Sequence, residues 1–143
     1  MTDERFEQLV AEAMDRIPRF FREEIPQFFH EDIWNDNVAV LIQEEPSPEL
    51  LADLGIEPPD TLYGLYEGTP RTEREWSPMT ALPDRITIVR KPILEDAEDE
   101  DDVFRAIGET IIHEYGHYFG LSEEEIDEAE AIWAEELETG EID

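Results

Sequence analysis

Residues 113–117 of the chain read His-Glu-Tyr-Gly-His, so two histidines lie four positions apart. If this run is helical, His113 and His117 project from the same face, one turn apart. Two imidazoles in that relation can bind one Zn²⁺ at nitrogen–metal distances of about 2.0–2.1 Å. Glu114, the neighbour of His113, can then reach a metal-bound water and act as a general base. The pattern therefore predicts a hydrolytic zinc centre built on His113, Glu114 and His117.

The residues on either side of the histidines predict the element that carries them. Apolar residues recur there at the three- and four-residue spacing of a helix. Gly120 follows His117 by three positions and is typical of a helix end. We therefore expect a motif helix from about Asp102 to Phe119.

Three further residues of this helix bear on how it is packed and how the site is oriented. Gly108 and Gly116 share a face, and a mid-helix glycine costs about 1 kcal/mol against alanine. We expect these glycines to allow close packing against a strand. Glu109 lies one turn before His113, where we expect a solvent-exposed glutamate, with orientation of the His113 imidazole as the alternative.

The run HEYGHYFGLSEEEID, residues 113–127, resembles the active-site segment of the small bacterial zincin-like metallopeptidases, whose pattern is HExxHxxGxxD. The likeness extends from about Phe6 to Glu130 and includes the NVAVLIQEEP, YGLYEG and RITIV segments. It implies an α+β fold, with one minimal zincin-like domain over residues 1–143. In that fold a small, mostly antiparallel or mixed sheet packs on the active-site helix, with helices at both ends of the chain. It also implies a Zn²⁺-dependent peptidase that acts on a peptide or protein substrate.

The third zinc ligand remains open at this point. The family's aspartate falls where this chain has Glu123, so the resemblance implies a carboxylate ligand that is one methylene longer. The S-x-x-E pattern that begins at Ser122 also reads as a capping box, which predicts a C-terminal helix over about 122–139. Glu123 could then be present only because acids suit a helix N-terminus. Asp127 is the main substitute and Glu136 a weaker one, and two histidines with water alone would give a weak site.

Composition limits the classes of partner. Forty Asp and Glu residues against ten Lys and Arg give a formal net charge of −30. Such a surface argues against nucleic acid and against anionic membranes. A solubilising surface, adaptation to high salt and a basic protein partner each remain compatible with it. The chain has no cysteine, no long apolar run and no secretory signal pattern, which predicts a cytoplasmic protein. Whether it is a monomer or a homodimer stays open.

The rest of the chain predicts the elements around the motif helix. Residues 3–17 have the spacing of an amphipathic helix, which we expect to end at Pro18. Residues 38–42 are continuously apolar and predict a strand that is buried on both faces. Residues 85–90 alternate and predict a half-exposed strand. Pro92 indicates either a sheet edge or the end of this strand. For an edge strand, the resemblance suggests that a peptide could pair with it.

Three further features could belong to a site but have ordinary explanations. Residues 95–102 contain seven acids in eight positions and predict a solvated linker, in which Asp101 or Asp102 caps the motif helix. Residues 68–83 are polar and proline-containing, and could be either a loop over the cleft or a plain surface loop. His30 has no neighbours that indicate a metal site.

Two other functions are compatible with the sequence. A zincin scaffold could bind metal weakly, or hold a protein partner, without hydrolysing peptides. Alternatively, the chain could be an acidic interaction protein that uses no metal.

Overall fold

The computed structural model describes residues 1–28, 38–57, 61–68 and 84–139. The predictions for His30 and for nearly all of the 68–83 loop lie outside these ranges. Within them the chain has an α+β fold, as predicted, with helices toward both ends. The described helices are α1 (Asp3–Glu24), α2 (Pro48–Asp53), α3 (Arg90–Asp96), α4 (Glu100–Tyr118) and α5 (Glu123–Thr139), with a 3₁₀ turn at Pro26–Phe28; the strands are β1 (Val38–Gln43), β2 (Gly64–Glu67) and β3 (Asp84–Val89).

The three described strands form a mixed sheet in the order β1-β3-β2. β3 runs parallel to β1 and antiparallel to β2. Of the two interpretations of Pro92, the sheet edge is therefore wrong, and the end of the strand is confirmed, since β3 ends at Val89. Arg85 is the one exposed residue of this strand. The alternating pattern predicted that Thr87 faces solvent, but Thr87 is buried. A β-branched threonine fits the pleated surface of a central strand. Pro92 belongs to the first turn of α3, where proline is tolerated.

β1 lies at one edge of the described sheet and is less buried than predicted. Its residues are intermediate or exposed, and Leu41 keeps 43% of its surface accessible. A continuous apolar run is typical of a strand covered on both faces, and on β1 it occurs on an edge strand. β2 forms the other edge, and Tyr66 on β2 donates a hydrogen bond to the buried carboxylate of Asp84 on β3.

α1 begins where predicted and extends beyond the predicted end. The backbone N–H of Arg5 donates to the side-chain oxygen of Thr2 at 3.1 Å, which caps the helix. Pro18 lies inside the helix, at a cost of about 3 kcal/mol. Phe20 and Phe21 continue the apolar face and are buried, and burial of each contributes about 1.5–3 kcal/mol. Their burial offsets the lost backbone hydrogen bond, so the helix continues to Glu24.

α4 is the motif helix, and its start shows how the acidic stretch is used. The N-cap is Asp99, which accepts a hydrogen bond from the backbone N–H of Asp102 at 2.9 Å. The predicted caps are therefore two or three residues too late, because the three acids at 100–102 occupy the first helical turn, where they suit the helix dipole. Only residues 97–99 separate α3 from α4, so most of the predicted linker is helical.

α4 packs against α1, β2 and α5, and its two interior glycines face α5. A Cβ atom on Gly108 would overlap the indole ring of Trp133. A Cβ atom on Gly116 would lie 2.8 Å from Cγ1 of Ile126. The glycines therefore allow close packing, as predicted, but against a helix and not a strand. Among the described helices, none is both long and apolar enough to cross a membrane.

Candidate functional site

The C-terminal half of α4 places the two motif histidines side by side. The four-residue spacing puts both imidazoles on one face, with their Nε2 atoms 3.0 Å apart. Both rings are partly open to solvent. The predicted pairing of His113 and His117 is therefore present in the structure.

Glu123 joins the two histidines from the first turn of α5. α4 ends at Tyr118, and two residues later the chain turns at Gly120, whose φ is +85°. The predicted capping box is present, since the N–H of Glu125 donates to the Ser122 hydroxyl at 3.1 Å and the N–H of Ser122 donates to the Glu125 carboxylate at 2.8 Å. Capping does not turn Glu123 away, because its Oε1 lies 3.0 Å from Nε2 of His117.

One group of potential metal ligands emerges among the described residues, formed by His113, His117 and Glu123. One ligand atom from each of them lies within 4.8 Å of the other two. Asp127 and Glu136, the predicted substitutes, do not belong to this group. The structure thus brings together the three residues that the sequence and the resemblance pointed to.

Glu114 lies beside this group, in the wall of a cavity of about 420 Å³. Burial raises the pKa of the Glu114 carboxyl, and His113 and His117 oppose that shift. The lining residues come from α4, from the segment that leads into β2 and, through Glu130, from α5. The cavity is lined by Thr61, Leu62, Tyr63, Gly64, Ala106, Glu109, Thr110, His113, Glu114, His117 and Glu130.

Comparison of the sequence with known protein families assigns the chain to one of them. The sequence matches the family of zincin-like metallopeptidases over residues 35–133, which is most of the chain. The protein belongs to this family. The matched region contains both motif histidines, Glu114 and Glu123. No curated protein matches the sequence.

A second carboxylate contacts the zincin-like site and was not anticipated from the sequence. Oε1 of Glu130 lies 3.0 Å from Nδ1 of His113. Glu130 follows Glu123 by seven residues, which is two turns along one face of a helix. That spacing is visible in the sequence, but the packing of α5 along α4 is not.

Glu109, for which the sequence favoured solvent exposure over a contact with His113, has a contact on its own helix. Its carboxylate lies 3.7 Å from Nε of Arg105, on the same helix. Burial raises the pKa of both Glu109 and Glu130. The solvent exposure expected for Glu109 is met only in part, since this residue is half-buried. The alternative, a contact with the ring of His113, is made by Glu130 instead.

The three potential ligands fit the zinc that this family implies. If Nδ1 of His113 donates to Glu130, its Nε2 carries a lone pair toward His117 and Glu123. Two imidazole nitrogens and a carboxylate oxygen are a known donor set for catalytic zinc, which keeps its fourth position open. Nitrogen ligands of a tetrahedral zinc lie roughly 3.3 Å apart, close to the 3.0 Å between the two Nε2 atoms.

Proposed function

We propose that the protein is a zinc-dependent peptidase in which His113, His117 and Glu123 hold the metal and Glu114 is the general base. The observation that carries this proposal is the convergence of two Nε2 atoms and one carboxylate oxygen beside Glu114, at the wall of a cavity. Zinc bound there supplies Lewis-acid polarisation of the scissile carbonyl and lowers the pKa of a bound water.

Glu114 is suited to proton transfer in this reaction. Burial raises its pKa, which makes its carboxylate a stronger base than that of an exposed glutamate. In the proposed reaction it takes a proton from the attacking water as the water oxygen bonds to the carbonyl carbon. It then gives that proton to the leaving nitrogen as the C–N bond breaks, so the same carboxylate serves both halves of the reaction.

A peptide substrate is supported by the part of the cavity lining that leads into β2. Residues 61–64 line the cavity and lead into β2. β2 lies at an edge of the described sheet, so an extended peptide can pair with its outer side. The peptide-pairing role that the sequence suggested for residues 85–90 therefore moves to β2, because β3 is central.

Metal or partner binding without turnover is a second candidate function. The observation that favours it is the exposure of Glu123, whose side chain keeps 69% of its surface accessible. An exposed carboxylate loses more conformational freedom when it binds a metal, and this weakens the site. Weak zinc binding, or capture of a protein partner, without any peptide cleavage would support this second function.

The test is cleavage of a library of unstructured peptides by zinc-loaded protein, read by mass spectrometry. We expect cleavage by the wild-type protein, none after removal of zinc with a chelator, and recovery when zinc is restored. A protein that holds one zinc and cuts no peptide would contradict the peptidase proposal. A protein that cuts equally well without zinc would contradict it as well.

A further inference from the structure

α5 contributes two carboxylates to the site, one on each side of the histidine pair. Glu123 lies against Nε2 of His117, and Glu130 lies against Nδ1 of His113, each at 3.0 Å. Nδ1 and Nε2 are the two ring nitrogens of His113, and Nε2 is the one that faces the other potential ligands. A partner at Nδ1 therefore decides which nitrogen is free for a metal.

We infer that Glu130 is a positioning residue that accepts a hydrogen bond from Nδ1–H of His113 and so keeps Nε2 unprotonated and aimed at His117 and Glu123. This inference rests on the proposed zinc site, but it concerns a residue outside the group of ligands. A carboxylate behind a metal-binding histidine fixes both its tautomer and its ring orientation.

The packing of α5 fixes Glu130 in this position. The residue before it, Ala129, and Trp133 one turn later are both fully buried against the core. Trp133 fits over Gly108 of α4, so the two helix backbones approach closely at this point. The Glu130 side chain itself is only 25% exposed, which leaves its carboxylate little freedom to turn into solvent.

The zinc affinity of Glu130 variants tests the inference, and two other Glu→Ala variants serve as controls for the loss of a negative charge. Glu130→Ala removes the acceptor, whereas Glu130→Gln keeps an oxygen that can accept from Nδ1–H. Glu128→Ala makes the same change on an exposed position of α5, and Glu109→Ala makes it inside the same cavity. Competition of the metal alone against a chromogenic chelator measures the affinity of each variant.

We expect Glu130→Ala to weaken zinc binding about 10- to 100-fold, the range typical of such partners. Glu130→Gln should restore most of that loss, and the two control variants should stay within about twofold of wild type. Wild-type affinity in Glu130→Ala, or an equal loss in Glu109→Ala, would overturn the inference.

The tautomer of His113 gives a second measurement that requires no zinc. Long-range ¹H–¹⁵N correlations of the metal-free wild-type protein, at about pH 8.5 where an ordinary imidazole is neutral, report which ring nitrogen carries the proton. We expect the proton on Nδ1 in wild type and loss of that preference in Glu130→Ala. A wild-type proton on Nε2 would overturn the inference, even if Glu130→Ala fails to fold.

These two measurements separate the inference from the proposed function. Wild-type protein that binds no zinc but carries the His113 proton on Nδ1 would refute the metal site and support the hydrogen bond to Glu130. Wild-type protein that binds zinc tightly and carries the proton on Nε2 when metal-free would support the metal site and refute the role of Glu130.

Discussion

At the scale of single residues, the site divides into parts that depend on local geometry and parts that depend on packing. The pairing of His113 with His117 follows from the helical repeat alone, so the sequence could predict it. Glu123 requires in addition the turn at Gly120. Glu130 reaches His113 only because α5 lies along α4, and no local pattern contains that information.

Removal of the proposed base should separate catalysis from metal binding. We expect Glu114→Gln to lower turnover at least about 100-fold, since general-base catalysis typically contributes 10²–10⁴. Zinc content should stay at the wild-type level, because Glu114 is not part of the potential ligand group. Parallel peptide-cleavage assays and metal analysis measure the two effects, with the exposed Glu124→Gln as the charge-matched control. Loss of zinc from Glu114→Gln would show that the role assigned to this residue is wrong.

The third ligand can be tested against its main substitute. We expect Glu123→Ala to weaken zinc binding by about tenfold or more, equivalent to about 1.4 kcal/mol. Asp127→Ala should bind zinc as wild type does, since Asp127 lies outside the group of converging atoms. Calorimetric titration with zinc measures both variants, and the reverse order of effects would assign the ligand to Asp127.

At the scale of elements, the sequence predicts which face of a helix or strand is buried better than it predicts which element packs against that face. The spacing of Gly108 and Gly116 shows that one face of α4 must be approached closely, but it does not say by what. In the structure that face meets Trp133 and Ile126 of α5. Pro92 left open whether β3 lies at a sheet edge or simply ends there, because strand order is set by contacts between distant segments.

The contact between the two helices predicts the effect of adding one methyl group. Gly108→Ala improves helix propensity by about 1 kcal/mol, but the new Cβ would overlap the indole of Trp133. Overpacking of this kind typically costs about 1–3 kcal/mol, so we expect a net loss in the free energy of unfolding. Urea denaturation monitored by circular dichroism measures it.

A double-mutant cycle checks the cause of that loss. In a Trp133→Leu background the overlap is relieved, so Gly108→Ala should cost less there than in wild type. Equal costs in the two backgrounds would mean that the indole is not what excludes a side chain at position 108.

At the scale of the whole molecule, the charge of −30 dominates. Ion pairs such as Arg85–Glu67 and Lys91–Glu45 lie at the surface, with nitrogen–oxygen distances of 2.8 Å and 2.6 Å. Surface pairs of this kind contribute about 0–1 kcal/mol each. With forty acids and ten basic residues in the chain, repulsion between carboxylates outweighs these attractions.

Salt should therefore stabilise the protein. We expect the melting temperature to rise between dilute buffer and roughly 1 M KCl, where the Debye length is about 3 Å. Thermal unfolding followed by circular dichroism across that range measures it. A flat or falling melting temperature would contradict the dominance of self-repulsion.

The class of fold follows from the sequence because helix and strand periods are local and the active-site pattern marks one helix as central. The length of α1 illustrates the limit of such reasoning. Pro18 is a local stop signal, but the burial of Phe20 and Phe21 against the rest of the molecule overrides it. Local rules fail where burial in the tertiary structure stabilises an element by more than the local signal destabilises it.

The most direct test of the proposed function is a crystal structure of the zinc-loaded protein, with an anomalous difference map recorded at the zinc edge. We expect one strong peak about 2.0–2.2 Å from Nε2 of His113, Nε2 of His117 and a carboxylate oxygen of Glu123, with the fourth position open beside Glu114. A peak elsewhere, or a Glu123 carboxylate well beyond about 2.2 Å from the metal, would contradict it.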